Sequence, residues 1–233
     1  MVDLAKEMIP QTSLVYLFCK GALDRLIGLL ILIIVSPLML GITVLIRLDS
    51  SGSAIFRQER VGKDGHRFTL YKFRTMRIDN DETQYKEYLR RLINEGTPYK
   101  VDEQGNAFYK IIDDPRVTRF GAFLRETNLD ELPQIINLLK GEMSFVGPRP
   151  DIPFAVEMYK DWHKKRLSVK PGMTGLWQVT GINRVPFDEM VRIDIDYIER
   201  CSLVLDSKIL LMTALRVLRM DGSYKSQEGV RNG

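Results

Sequence analysis

Apolar positions are concentrated near one end of the chain. From Leu26 to Ile46 there is no charged residue, a run of 21 positions. A straight helix of that length rises about 31 Å, close to the thickness of bilayer hydrocarbon. Ser36-Pro37 falls in the middle of the run. Proline removes a helix hydrogen bond and clashes with the preceding turn, which leaves two halves of ~15 Å, each the depth of one leaflet. Cations flank both ends: Lys6, Lys20 and Arg25 before, Arg47, Arg57, Arg60 and Lys63 after. Such cations favour the cytoplasmic side. The pattern therefore predicts a re-entrant helix-break-helix that enters and leaves on the cytoplasmic face. The Ser36 hydroxyl is the candidate partner for backbone freed by Pro37. An ordinary kinked span is the alternative. A cleaved signal peptide fits least, because the preceding region is long, holds Asp3 and Glu7, and no small-residue cleavage site follows.

Beyond this run the periodicity changes. AIFRQERV and HRFTLYKFRTM flank Lys63-Asp64-Gly65, which predicts a hairpin over 54–76. Alternation puts Phe68, Leu70, Lys72, Arg74 and Met76 on one face; two cations there mean either a solvated edge or an anion site. Residues 79–108 are polar, with a short helix from Glu82 to Ile93, and read as a peripheral insertion or a lid. Over 127–140, Leu129, Leu132, Ile135, Ile136 and Leu139 keep helical spacing, with Asp130, Gln134 and Asn137 opposite and Gly141 as the stop. Pro133 is tolerated only in a first turn, so this helix begins near Asn128 to Asp130. Amphipathic helices are expected at 152–167, with Trp162 and Lys164-Lys165-Arg166, and at 206–220. Such basic helices lie in a membrane interface or pack on the core.

Composition narrows the chemistry. Of 233 residues, 34 are Lys or Arg and 30 Asp or Glu, so the net charge is +4. That balance suits anionic lipid or phosphate and gives little reason to expect nucleic acid. Two cysteines (Cys19, Cys201) and two histidines (His66, His163) exclude a disulfide scaffold or a Cys/His zinc site. There is no glycine-rich nucleotide loop, serine elbow or HExxH.

The strongest pair is Asp130-Glu131. At a helix start, free backbone N–H groups favour anions, and adjacent side chains point about 100° apart, so two carboxylates flank one site. Arg125 lies just upstream, Arg149 sits in the stiff Gly147-Pro148-Arg149-Pro150-Asp151 loop, and Lys72 and Arg74 add cations. Carboxylates with phosphates outline a magnesium site, and the clustering suits phosphoryl transfer. Asp194-Ile195-Asp196 offers a weaker alternative, the DxD motif of a nucleotide-sugar glycosyltransferase.

The runs FRQERVGKDGHRFTLYKFRTMR, DDPRVTRFGAFLRETNLDELPQIINLLKGEMSFVGPRP and KPGMTGLWQVTG resemble the bacterial sugar transferases, the monotopic phosphoglycosyl transferases. The resemblance runs from about Ala22 to Thr213 and includes the Ser-Pro break. It implies transfer of a sugar-1-phosphate from a UDP-sugar to undecaprenyl phosphate with release of UMP, the first membrane step of polysaccharide or glycoconjugate synthesis. It also implies that Asp130 is the nucleophile, forming a phosphosugar-aspartate. Glu131 would act as metal ligand or proton acceptor, and Mg2+ would neutralise the diphosphate, held by Asp130 and Glu131. Lys72, Arg125 and Arg149, with Arg74 and Asp151, would bind substrate phosphates. Cys201 replaces an aromatic residue common in the family, and the chain is expected to be a minimal form without the N-terminal transmembrane bundle of larger members.

The expected architecture is α+β: residues 1–48 form the N-terminal segment with the membrane hairpin, 49–220 a small cytoplasmic catalytic domain of helices with a short β-hairpin, and 221–233 a tail. The expected site of action is the cytoplasmic face of a bacterial inner membrane, with UDP-sugar, undecaprenyl phosphate and membrane lipids as partners; a homodimer is compatible with the sequence. Competing readings are a DxD glycosyltransferase releasing UDP and a non-catalytic membrane adaptor.

Overall fold

The charge-free run lies inside one helix, α1 (Leu14–Asp49), in a computed structural model that describes residues 14–77, 83–101, 107–109, 111, 114–180 and 185–218. The expected break does not interrupt this helix. A residue-37 N–H would have bonded the Ile33 carbonyl; the Ser36 hydroxyl donates to that carbonyl at 2.9 Å instead. The donor that proline removes is thus replaced from the preceding residue, and the helix continues.

Within α1 only Gly28, Ile42 and Ile46 are buried, while leucines and isoleucines from Leu14 to Leu48 are exposed. An uncovered apolar surface of this extent is unfavourable in water, and the helix is long and apolar enough to cross a membrane. The protein is membrane-associated through this helix. Both halves also touch the rest of the chain. A Cβ on Gly28 would stand 2.4 Å from Leu138 Cδ2, so the helix approaches through its glycine. Ile42 and Ile46 pack with Ala54, Phe73 and Leu124.

Next come β1 (Ile55–Val61) and β2 (Arg67–Phe73), an antiparallel hairpin with Ile55 opposite Phe73 and Val61 opposite Arg67. Its turn requires positive φ at Asp64 (54°) and Gly65 (79°), which an Asp-Gly pair tolerates. The helix α2 (Thr83–Glu95) is not peripheral. Leu89, Leu92 and Ile93 are buried against Ile152, Phe187 and Val191. Their i, i+3, i+4 spacing was legible but is masked by polar neighbours. Two short strands, β3 (Lys100–Val101) and β4 (Ala107–Phe108), pair antiparallel, and α3 (Arg119–Glu126) follows, capped by Thr118.

The 127–140 segment differs from a plain helix. Leu129–Gln134 is a 3-10 turn and only Ile135–Lys140 is α-helical (α4), ending at Gly141 with φ 78°. Pro133 lacks an N–H, so the tighter turn holds until the proline is passed. Nor is the polar face solvated: Asp130, Gln134 and Asn137 are all buried. Asn137 fastens the segment to β2, accepting from the Tyr71 N–H at 3.1 Å and donating to the Thr69 carbonyl at 2.6 Å. Strands β5 (Ser144–Val146) and β6 (Gly172–Thr174) then pair in parallel.

The expected 152–167 helix is split into α5 (Pro153–Glu157) and a 3-10 turn, Asp161–Ser168, and Arg166 is buried rather than interfacial. The chain continues through α6 (Leu176–Thr180) and α7 (Phe187–Arg200) to α8 (Leu203–Leu218), which keeps an exposed apolar face. The 221–233 tail lies outside the described residues.

One polar knot joins the membrane helix to the domain. Asp206 Oδ2 accepts from Lys20 Nζ at 2.6 Å and from the Tyr16 hydroxyl at 3.0 Å. Asp206 Oδ1 lies 2.7 Å from the Tyr197 hydroxyl, which is also 3.1 Å from the Val146 carbonyl. Lys20 and Asp206 are both largely buried, so removing one leaves the other uncompensated. Asp206→Ala is expected to destabilise the fold by about 3 kcal/mol, read as a lower melting temperature in detergent. A melting temperature equal to wild type would show that the knot is idle.

Candidate active site

The site is built around a loop pinned along its backbone. Each carbonyl from Pro148 to Asp151 has its own donor: the Gly172 N–H at 2.9 Å, Arg166 at 3.2 Å, Arg60 at 2.9 Å and the Val61 N–H at 2.9 Å. Two prolines already fix this backbone. Close approach of β5 and β6 makes it possible, since a Cβ on Gly172 would meet the Gly147 nitrogen at 2.1 Å. The side chain of Arg149 is thereby held in place.

Its guanidinium reaches Glu131, with distances of 2.6 Å to Oε1 and 3.4 Å to Oε2. Lys72, projecting from β2, donates to Glu131 Oε1 at 2.8 Å and lies 3.7 Å from Asp130 Oδ2. Lys72 is therefore no solvated edge residue. Arg125 Nε donates to Thr75 Oγ1 at 2.8 Å and faces Asp130 closely enough to act on its titration. All seven expected residues line one cavity of about 890 Å³, with Lys72, Arg125, Asp130, Glu131 and Arg149 forming its charged centre.

The two carboxyls are in different electrostatic states. Burial pushes Asp130 above the usual carboxylate range, against the pull of Lys72 and with the push of Glu131. Glu131 is also desolvated, but Arg149 and Lys72 outweigh that and hold it well below the usual range. Glu131 is a fixed anion of low basicity; Asp130 is the more basic and less firmly held of the two. An activity that requires ionised Asp130 is lost as pH falls through an elevated pKa. The acid limb of the rate profile is therefore expected above the ordinary aspartate value of about 3.9. A profile flat down to that pH would contradict the assignment.

Two expected phosphate ligands have other work. Arg74 donates to the Ser51 and Ser50 carbonyls at 2.5 and 2.6 Å, tying β2 to the end of α1. Asp151 Oδ2 accepts from the Tyr159 hydroxyl at 2.5 Å and from Arg166 at 2.8 Å. It buttresses the loop. The sequence also hid two arginines. Arg166, in a basic cluster that reads as surface, is 5 % exposed and holds Arg149's backbone, Asp151 and Asp194. Arg60 shares a strand face with the residues opposite Lys72 and Leu70, a placement the hairpin register alone specifies.

The DxD reading loses its geometry. Asp194 is completely buried, with Oδ2 accepting from Arg166 Nε at 2.8 Å. Asp196 lies on the opposite, exposed side of α7, paired with Arg200. Positions two apart on a helix differ by about 200°, so the two cannot share a metal.

Among the described residues no three His, Cys, Asp or Glu side chains converge on one point. Of the carboxylates lining the cavity, Asp114 is taken by Arg116 and Asp151 by Tyr159 and Arg166, which leaves Asp130 and Glu131 as the pair offered to a hard cation. That donor set fits magnesium, which keeps waters and substrate phosphates for most of its shell.

A membrane-associated α+β protein with a buried and a half-buried carboxylate among fixed cations has the makings of a phosphoryl-transfer enzyme acting at a membrane. Residues 15–220 match the family model described as bacterial sugar transferase, and the chain belongs to that family. It is 42 % identical over 207 residues to the undecaprenyl-phosphate galactose phosphotransferase of Salmonella typhimurium, covering 89 % of this chain and 42 % of that protein. It is 37 % identical over 217 residues to the UDP-glucose:undecaprenyl-phosphate glucose-1-phosphate transferase of Xanthomonas campestris, covering 90 % and 40 %. With the exopolysaccharide production protein ExoY of Sinorhizobium fredii identity is 38 % over 205 residues, and 88 % of each chain is covered. The chain thus spans less than half the length of the first two relatives and most of the third.

Proposed function

We propose that this protein transfers a sugar-1-phosphate from a UDP-sugar to undecaprenyl phosphate, with release of UMP, through an acyl phosphate (a mixed anhydride) between Asp130 and the sugar phosphate. The observation that carries the reading is the pairing of a buried, basic Asp130 with a Glu131 clamped by Lys72 and Arg149. The names of the Salmonella and Xanthomonas relatives supply the class of donor and acceptor.

In this mechanism an Asp130 carboxylate oxygen attacks the β-phosphorus of the donor. The bond from that phosphorus to the bridging oxygen breaks, and its electron pair leaves with UMP. The lipid phosphate then attacks the same phosphorus, the Asp130–phosphorus bond breaks, and Asp130 is regenerated. Arg149, Lys72 and Arg125 hold phosphate oxygens where charge accumulates. Glu131, its basicity lowered by Lys72 and Arg149 on Oε1, orients those two cations and offers Oε2 as a metal ligand rather than acting as the proton acceptor. Bound magnesium, held by Asp130 and Glu131, would add neutralisation of the diphosphate.

The reading extends to topology. Tyr16 and Lys20 near one end of α1 and Ile46 and Ser50 at the other all engage the same domain. A helix whose ends lay on opposite sides of a bilayer could not do this. The contacts support a re-entrant helix, with the catalytic domain on the cytoplasmic face and the site held at headgroup depth. Identifying the released nucleotide is the test: UMP is expected over a panel of UDP-sugars with polyprenyl phosphate and magnesium. UDP would identify direct glycosyl transfer instead.

A further inference from the structure

The cavity has an end that the reaction scheme above leaves unused. Beyond Arg149 it continues between α6 and α8, where Thr174, Trp177, Gln178, Thr213 and Arg216 line it. Two buried polar atoms there, the indole nitrogen of Trp177 and Gln178 Oε1, have no hydrogen-bond partner among the described residues. Buried polar atoms are nearly always paired, and an indole N–H is a donor only. Arg216 makes one hydrogen bond, NH1 to the Gln178 carbonyl at 3.3 Å, and has no ion pair among the described residues. Most of its five N–H donors are uncommitted. The Thr174 and Thr213 hydroxyls, 2.8 Å apart, bind α8 to β6 at this end.

The same stretch of α8 presents exposed Leu211, Leu215 and Leu218. It is the one described element that both lines the cavity and carries an exposed apolar helix face; α1 carries the larger apolar surface but contributes no lining residue. A substrate whose hydrocarbon stays in the membrane and whose head must reach Lys72 and Asp130 has this end as its way in.

We infer that the α6–α8 end of the cavity is the landing site for the phosphate of a membrane-borne phosphomonoester, with Arg216 and the Trp177 indole N–H as its donors. A phosphate monoester accepts hydrogen bonds and carries negative charge, which matches an arginine fork and a donor-only indole. The hydrocarbon then lies along the Leu211, Leu215 and Leu218 face. The inference rests on the reaction proposed above for the identity of the acceptor, but its geometry does not depend on the covalent step.

The test is binding of a C15 prenyl phosphate to the full chain in detergent micelles, with UMP binding measured in parallel. Wild type is expected to bind the prenyl phosphate, and farnesol or inorganic phosphate far more weakly. Arg216→Gln should weaken prenyl phosphate at least tenfold and leave UMP unchanged. Trp177→Phe, which deletes the N–H and keeps the ring, should weaken it several-fold, and it serves should Arg216→Gln fail to fold. Prenyl phosphate binding unchanged in both variants, a parallel loss of UMP affinity in Trp177→Phe, or inorganic phosphate competing as well as the lipid would overturn the inference. A wild type that binds prenyl phosphate but releases no UMP would instead sink the proposed reaction and leave the landing site standing.

Discussion

Asp130→Asn is expected to lower turnover by about 10⁴-fold or more, with the fold intact. An amide does not attack phosphorus, and removing a covalent nucleophile from a site whose parts act as a unit leaves only the residual catalysis of binding and positioning. On the barrier that factor is about 5.5 kcal/mol. Stability should hardly move. The carboxyl is buried and disfavoured as an anion there, and its contact with Lys72 is a loose 3.7 Å, so the neutral isostere gives up little. Steady-state UMP release with a melting curve on the same sample reads both quantities. Near-wild-type turnover in this variant would remove Asp130 from the chemistry.

The second large effect is expected at Arg149. Arg149→Ala removes a guanidinium that reaches Glu131 from a loop whose own backbone is pinned through four carbonyls. Two losses combine: a cation placed for the phosphates, and one of the two partners that keep Glu131 ionised. We expect a fall of about 10²–10³-fold in kcat. Arg149→Lys should recover only part of this, because an ammonium keeps the charge but not the bidentate fork. If Arg149→Lys is as active as wild type, the fork geometry is irrelevant and Arg149 acts only as a distant charge.

Much of this site is legible in the sequence. The Asp-Glu pair at a helix start, the stiff Pro-Arg-Pro loop and Lys72 on the hairpin all announce themselves locally, through turn chemistry, proline and alternation. What stayed hidden depends on contacts between distant segments. Arg74 sits on the same strand face as Lys72 by alternation, yet β2 ends at Phe73 and the next residue turns back to the end of α1. Arg166 looks like a surface cation because its neighbours are lysines; only the folded chain brings Asp151 and Asp194 to it. Pro37 predicts a break because the sequence shows the lost N–H. Whether the neighbouring serine hydroxyl would replace it depends on a rotamer that no pattern specifies. The polar residues of the 127–140 segment likewise face inward because the hairpin lies against them.

The central claim is a covalent bond between Asp130 and the phosphorus of a sugar phosphate. Intact-mass measurement of the detergent-solubilised chain, incubated with magnesium and its UDP-sugar in the absence of any lipid acceptor, tests it most directly. The account predicts an added mass equal to one sugar phosphate less water, mapped to the peptide bearing Asp130 and discharged when polyprenyl phosphate is supplied. An unmodified chain under conditions where added lipid gives full turnover, or an adduct on another residue, would contradict it.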